Sequence, residues 1–209
     1  MGRVFQAWDS RQRRKLALKV LKPAMTSASL AEEFRLLSRL SHPNLVGIFD
    51  YHAEVADHVD DPQLRGPCFT MELLEGRPLD RLEPATDPGQ IVQILGDAAS
   101  ALHYLHSRNI LHRDLKPSNL FWDKGRLRLL DFGLSGGVEQ IAGAGTPAYL
   151  PPEAFWGEYG RSGDLFALGV SIQEWLCGAP PFPAWPPPAG KAVKARSLSA
   201  ARPELPDFL

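Results

Sequence analysis

The stretch that decides the fold is His112-Arg113-Asp114-Leu115-Lys116-Pro117-Ser118-Asn119, read together with Asp131-Phe132-Gly133 further along the chain. A lone Asp is usually a turn former and a lone Asn a loop cap, so no single residue here is informative. Mg²⁺ prefers hard oxygen ligands, typically one or two carboxylates together with phosphate and water. The ordered set of carboxylates, amide and lysine therefore predicts a site that positions a metal-bound phosphate and an attacking hydroxyl.

Two short strands are predicted directly after this stretch. Apolar residues on either side of a turn at Asp123-Lys124-Gly125 indicate strands over 120–122 and 127–130. Such a pair of strands would hold Asn119 and Asp131 against one another.

Most of the chain after residue 76 has helical patterns. Asp87-Pro88-Gly89-Gln90 combines an N-cap, a proline at the first helical position and a capping glutamine, so a helix begins there. A helix is also predicted over 164–176, and a weak one over 189–201, after the proline-rich segment 180–188. The first of these helices carries an apolar stripe formed by Ile91, Leu95, Ala98, Leu102 and Leu105.

The first third of the chain has the pattern of strands and one helix. Lys19 projects from the second strand, on the face opposite Leu18. The capping-box pattern at 29–32 begins a helix that continues to Leu40. The change from strands to helices near Glu75-Gly76 is the predicted lobe boundary. The predicted strands cover 4–8, 16–21, 45–51 and 68–74.

Composition is that of an ordinary globular chain of 209 residues, with 44% hydrophobic and 22% charged residues. The formal net charge of −1 gives no reason to expect nucleic acid as a partner. Cys68 and Cys177 lie far apart in apolar surroundings, and we expect both to be buried, reduced thiols. Because no stretch has the length of a membrane span and no signal pattern is present, we expect a cytoplasmic location.

These motifs resemble the signature of the protein kinase family and occur in the family's order. The resemblance implies an α+β, two-lobed fold with a small antiparallel β N-lobe that carries helix C and a mainly α-helical C-lobe. The family's first strand and last helices have no counterpart in this chain. The expected domains are therefore residues 1–75, an N-lobe without its first strand, and residues 76–209, a C-lobe without its last helices.

The resemblance assigns ATP-binding roles to the first lobe. Lys19 matches the lysine that holds the α- and β-phosphates, and Glu33 matches its ion-pair partner on helix C. A solvated Glu33, with Glu32 as the partner, is the alternative. The glycine-rich loop is incomplete, because only its last glycine has a match. The resemblance implies further ATP contacts in that loop, in the pocket wall, at the gatekeeper position and in the hinge. They are Gly2, Val4, Ala17, Met71, Glu72 and Leu74.

The resemblance assigns the chemistry to the second lobe. Asp114 matches the aspartate that accepts the hydroxyl proton, and Lys116 matches the cation at the transferred phosphate. Asn119 and Asp131 match the two Mg²⁺ ligands, which also contact ATP. Gly145 to Glu153 resembles the loop that docks protein substrates, and Asp164 resembles the aspartate that anchors the catalytic loop. The implied docking and structural residues are Thr146, Glu153 and Asp164.

The implied function is transfer of the γ-phosphate of ATP to serine or threonine hydroxyls of a protein substrate, with ATP and Mg²⁺ as cofactors. Lys116 and Thr146 indicate this acceptor class, because tyrosine kinases differ at both places. Two alternatives stay open. A pseudokinase or fragment that acts as a binding module is favoured by the incomplete glycine loop. A small-molecule phosphotransferase is disfavoured by Lys116-Pro117 and by the docking loop.

Arg113 matches the arginine that binds a phosphate on the activation loop in the family. Between Asp131 and Glu153 no hydroxyl lies in the usual middle region of that loop. We therefore expect that Glu139, or no residue, takes the place of the phosphate.

Overall fold

The computed structural model describes residues 3–21, 34–53, 66–132, 146–183, 185–186 and 193–206. The chain divides into two compact units, residues 1–75 and 76–209. Several residues of the sequence analysis lie outside the described ranges: Gly2, 29–32, Glu33, Gly133, Glu139 and Gly145.

The first unit contains a four-stranded antiparallel sheet in the order β1-β2-β4-β3. The four predicted strands are present, but two of the predicted bounds were wrong. The third strand begins at Ile48, because Leu45 N donates to His42 O in a turn before it, and the fourth ends at Met71, since residues 72–75 have left the sheet. Residues 34–37 are helical, within the range predicted for the first helix. The strands are β1 (Arg3–Asp9), β2 (Arg14–Val20), β3 (Ile48–His52) and β4 (Cys68–Met71).

The central strands supply the core of this unit. All four residues of β4 are buried, and so is Leu16 on β2. The ring of Phe34 lies 5.6 Å from that of Tyr51 and 6.5 Å from that of Phe69, between ring centres. These aromatic contacts hold the helical residues 34–37 on the sheet, and each buried aromatic or aliphatic side chain stabilises the fold by about 1.5–3 kcal/mol.

The second unit contains the helices α1 (Pro88–His106), α2 (Arg161–Cys177) and α3 (Leu198–Ala201). α1 begins as predicted, since the Asp87 carboxylate accepts from Gly89 N at 3.1 Å and Gln90 N at 3.2 Å. None of the helices in the described ranges combines the length and apolar character that crossing a bilayer requires.

Two helix predictions were partly wrong. α2 begins at Arg161, before the predicted residue 164, because Gly163 N already donates to Gly160 O and closes a first turn. Of the range predicted for the weak helix, 189–201, the structure describes residues 193–201. Within these, α3 is helical and is capped by Ser197, whereas residues 193–196 are not helical.

α1 packs one face into the core of the second unit. The prediction was wrong for Leu95, which is half-buried, because Ile94 lies closer to the centre of the apolar stripe and is fully buried. The buried apolar residues of α1 are Ile91, Ile94, Ala98, Ala101, Leu102 and Leu105.

A three-stranded antiparallel sheet, β5 (Arg77–Pro78), β6 (Leu120–Asp123) and β7 (Arg126–Leu129), lies beside α1. Lys124 and Gly125 join β6 to β7 with φ angles of 51° and 77°, the left-handed pair that a two-residue hairpin turn requires. Asp97 on α1 accepts from Leu127 N at 2.8 Å. The hairpin is therefore fixed to the helix, and its two ends are fixed with it.

Both cysteines are free, as predicted. Cys68 is buried, but Cys177 is only half-buried, so the expectation for Cys177 was wrong. Cys177 is the last residue of α2, where the chain turns outward through Gly178 with a φ of 69°. Burial raises the pKa of both thiols, so neither is activated as a nucleophile.

Candidate active site

One buried carboxylate holds the backbone of the stretch 112–119. Asp164 on α2 is fully buried, and it accepts from His112 N and Arg113 N, both at 2.9 Å. The same carboxylate also accepts from His106 Nε2 at 2.7 Å and from the Tyr159 hydroxyl at 2.9 Å. Four hydrogen bonds replace the water that a buried charge has lost, which makes Asp164 a rigid anchor.

The backbone is left-handed at Arg113 and at Asp131, with φ angles of 65° and 58°. This conformation costs about 1–3 kcal/mol for a residue other than glycine and persists only where the surroundings enforce it. The bond from Arg113 N to Asp164 supplies that enforcement at the first position. Strain is therefore stored at two of the residues that the sequence singled out.

His112 is fully buried and enters the site as a neutral group. Burial lowers the pKa of His112 below its ordinary value of 6.5, and the charges of Asp164, Asp114 and Asp131 only partly oppose that effect. Its neutral Nδ1 accepts from Asp114 N at 3.4 Å. His112 thus supports the backbone of Asp114 without adding a charge beside it.

Asp114, Lys116, Asn119 and Thr146 form one hydrogen-bonded cluster. Lys116 Nζ donates to Asp114 Oδ2 at 2.7 Å and to Thr146 Oγ1 at 3.1 Å. Thr146 in turn donates to Asp114 Oδ1 at 3.2 Å. Asn119 Nδ2 donates to the backbone oxygen of Asp114 at 2.8 Å and to its Oδ2 at 3.2 Å. These contacts hold the Asp114 carboxylate in one orientation, with 13% of its side chain exposed.

Asn119 and Asp131 lie at the two ends of the β6–β7 hairpin, where Leu130 N donates to Asn119 O at 3.0 Å. Because Asp114 accepts from the amide nitrogen of Asn119, the amide oxygen points away from that carboxylate. An amide oxygen and a carboxylate are both ligands that Mg²⁺ accepts. This donor set fits Mg²⁺.

Four of the side chains predicted to contact ATP lie on one face of the sheet of the first unit: Val4, Ala17, Lys19 and Met71. The register pairs Val4 with Lys19 and Ala17 with Met71. Paired residues of an antiparallel sheet point to the same side, as do Ala17 and Lys19 two positions apart on β2. Lys19 is buried, and its Nζ lies 5.7 Å from the centre of the Phe69 ring. This face therefore carries one buried cation among apolar side chains.

The predicted hinge follows directly after β4. Glu72 N donates to Gly47 O at 2.8 Å, and the Glu72 carboxylate accepts from Gly47 N at 3.4 Å. Residues 72–75 lie outside any strand, and Leu74 is half-buried. The chain thus leaves the sheet at Glu72.

The predicted docking loop contains two short 3₁₀ turns, Pro147–Tyr149 and Pro152–Trp156. Trp185 Nε1 donates to Leu150 O between them at 2.9 Å. Glu153 lies in the second turn, and within the described residues no hydrogen bond joins it to the cluster around Asp114. The structure therefore brings Thr146 to the cluster and leaves Glu153 outside it.

Sequence reasoning missed His106 and Tyr159, both of which contact Asp164. His106 lies four positions after Leu102 and so continues the apolar stripe of α1, and a histidine on a buried face was the available signal. Tyr159 lies in a connecting segment and belongs to no pattern that the sequence displays.

A family model described as the protein kinase domain matches residues 1–200. The chain belongs to the protein kinase domain family. This kinase domain is 40% identical over 197 residues to the DNA damage-responsive serine/threonine-protein kinase RqkA of Deinococcus radiodurans, covering 87% of this chain and 28% of that protein. It is 37% identical over 203 residues to the serine/threonine-protein kinase pkn2 of Myxococcus xanthus, covering 87% of this chain and 23% of that protein. The chain thus spans only 23% to 28% of the length of these relatives.

The kinase domain also resembles a solved structure, a mutant form of the PknI kinase domain of Mycobacterium tuberculosis. The TM-score is 0.70 at 26% sequence identity, and the match covers 98% of this chain and 77% of the other. The predicted two-lobed kinase fold of the α+β class is confirmed by this match.

Proposed function

We propose that this kinase domain transfers the γ-phosphate of ATP to serine or threonine hydroxyls of protein substrates. The observation that carries the proposal is the cluster in which Lys116 is shared between the Asp114 carboxylate and the Thr146 hydroxyl. The two relatives named above as serine/threonine-protein kinases support the same acceptor class. A charged lysine and an oriented carboxylate are what phosphoryl transfer to a hydroxyl requires.

In this proposal Asp114 accepts the proton of the substrate hydroxyl. Its carboxylate is already oriented by Asn119 and Thr146, and a positioned base typically contributes about 10²–10⁴ in rate. Lys116 Nζ, 2.7 Å from that carboxylate, neutralises charge on the transferred phosphate. Thr146 and Glu153 belong to the segment that docks the protein substrate.

Asn119 and Asp131 are the proposed ligands of Mg²⁺. Held by these two residues, Mg²⁺ would supply positive charge to offset the charge on the phosphate oxygens. Lys19 is proposed to hold the α- and β-phosphates of ATP, with Glu33 as its ion-pair partner. The other proposed ATP contacts are Gly2, Val4, Ala17, Met71, Glu72 and Leu74.

A cytoplasmic location belongs to the same proposal. ATP is available there, and the free thiols of Cys68 and Cys177 suit a reducing compartment.

The test compares the full chain with Asp114→Asn, using labelled ATP, Mg²⁺ and myelin basic protein as a generic substrate. Asp87→Asn is the matched control, because it makes the same chemical change at the N-cap of α1, where asparagine also caps. We expect phosphoserine or phosphothreonine from wild type and from the control, and a loss of at least about 10² in rate with Asp114→Asn. Undiminished transfer by Asp114→Asn, or phosphotyrosine as the main product, would contradict the proposal. ATP binding without transfer by wild type would favour a pseudokinase.

A further inference from the structure

Asp164 divides its hydrogen bonds evenly between its two oxygens. Oδ2 accepts from His112 N and His106 Nε2, whereas Oδ1 accepts from Arg113 N and the Tyr159 hydroxyl. Each oxygen therefore holds one peptide group of the stretch 112–119, the catalytic loop, and is itself fixed by one side chain.

The Oδ1 half of this arrangement holds the strained peptide. Arg113 has a φ of 65° and immediately precedes Asp114, so its backbone sets the direction of that side chain. We infer that Tyr159 is a positioning residue for phosphoryl transfer: its hydroxyl fixes Oδ1 of Asp164, and through Arg113 it orients Asp114. The inference rests on the proposed kinase function.

Tyr159 is suited to act as a permanent donor. Burial raises the pKa of Tyr159, and the charge of Asp164 beside it raises that pKa further. The phenol therefore keeps its proton throughout the neutral range. A hydroxyl that donates to a carboxylate forms a bond roughly twice as strong as one between neutral groups. Removal of the hydroxyl leaves Oδ1 with Arg113 N alone and frees the carboxylate to turn.

Gly163 makes room for the ring of Tyr159. A Cβ atom at Gly163 would lie 2.9 Å from Cε2 and from Cζ of that ring, which is closer than carbon atoms approach without displacement. A substitution at Gly163 therefore moves the hydroxyl without altering Tyr159 itself. Gly169 lies on the same helix and has open space where a Cβ would be, so it provides the matched control.

The hydrogen bond from the Tyr159 hydroxyl to Asp164 also links two segments of the chain. Tyr159 follows the 3₁₀ turn Pro152–Trp156, in which the docking loop ends at Glu153, and comes after Gly157, which turns the chain with a φ of 86°. The hydroxyl thus ties the chain that follows the docking loop to the anchor of the stretch 112–119. The orientation of Asp114 then depends on the segment that meets the protein substrate.

The test uses the full chain with Tyr159→Phe and Gly163→Ala, and with Gly169→Ala as control. For both test variants we expect kcat to fall about tenfold while KM for ATP stays within about twofold of wild type. By nuclear magnetic resonance, hydrogen exchange of the Arg113 amide should accelerate more than that of the His112 amide, because His106 still fixes Oδ2. Gly169→Ala should leave kcat and both amides unchanged.

If the hydrogen-exchange rate of the Arg113 amide is unchanged in Tyr159→Phe, the inference is overturned, whether or not kcat falls. Any fall in kcat would then not arise through Arg113. If Tyr159→Phe does not fold, Gly163→Ala tests the inference through the same two measurements, kcat and the exchange rate of the Arg113 amide. Amide exchange needs no turnover. If wild type transfers no phosphate, the proposed function fails, and the Arg113 amide still decides the role of Tyr159.

Discussion

Replacement of Thr146 by valine removes one hydroxyl from the cluster while keeping the shape of the side chain. The hydroxyl accepts from Lys116 at 3.1 Å and donates to Asp114 at 3.2 Å, so it orients both charged groups at once. Lys116 keeps its direct bond to Asp114 at 2.7 Å. The variant should therefore remain folded but transfer phosphate more slowly.

The size of the effect follows from the burial of the partners. The side chains of Lys116 and Asp114 are 9% and 13% exposed, so water only partly replaces the missing hydroxyl. A hydrogen bond to a charged group contributes about 1.5–3 kcal/mol. If one such bond is lost from the transition state, kcat falls by roughly 10- to 150-fold. This loss reaches only the lower end of the range of about 10²–10⁴ that a positioned base contributes, because the proton acceptor itself remains.

The assay is steady-state phosphate transfer at saturating ATP, together with a thermal melt. Thr70→Val is the matched control, since Thr70 also lies buried and bonds the backbone of Asp50, on the sheet face opposite to Lys19. The control should lose some stability and keep its kcat. Equal values of kcat for Thr146→Val and wild type would refute the reasoning, and so would a fall in melting temperature large enough to explain the lost activity.

The remaining predictions concern stability. Gly76→Ala should destabilise the fold by about 1–3 kcal/mol or more, because a Cβ there would lie 1.8 Å from the carbonyl oxygen of Trp122. Gly96→Ala changes an exposed position of α1 with open space around it, so it should stabilise the fold by about 0.5–1 kcal/mol. Urea unfolding measures the free energy of unfolding of both variants. A Gly76→Ala variant as stable as wild type would contradict the prediction for Gly76. Because the pKa of His112 is lowered, the unfolded chain binds a proton there that the folded chain does not, so the free energy of unfolding should fall as pH drops below about 6.5. The same titration of His112→Phe should give a shallower slope, and identical slopes would argue against the buried neutral histidine.

Much of the site could be predicted because its residues are close in sequence. Asp114, Lys116 and Asn119 lie within a few positions, and the local chain brings them into one cluster with little help from distant elements. The hairpin could be predicted equally well, because the turn at 123–125 and the strands on either side of it have local sequence patterns. Thr146 was identified only through the resemblance to a family, since no local pattern links it to Asp114.

What the sequence did not predict depends on contacts between distant segments. Tyr159 and His106 acquire a role only because both reach Asp164, and neither has a neighbour in sequence that indicates it. The short extent of α3 has a similar origin. Intrinsic propensity favoured a longer helix, but Arg196 N donates to Pro181 O and Gln173 Nε2 donates to Arg196 O, which keeps the chain before α3 extended.

The convergence on Asp164 also bears on how the second unit folds. The contacts of this carboxylate with His106, His112 and Arg113 join positions 58, 52 and 51 residues apart. Long loops must close before such contacts can form, so we expect these contacts late in folding, when most of the unit is in place. The left-handed backbone at Arg113 is held by one of them, the bond from Arg113 N to Asp164. Because a peptide containing only residues 112–119 lacks that bond, we expect that it does not adopt this geometry.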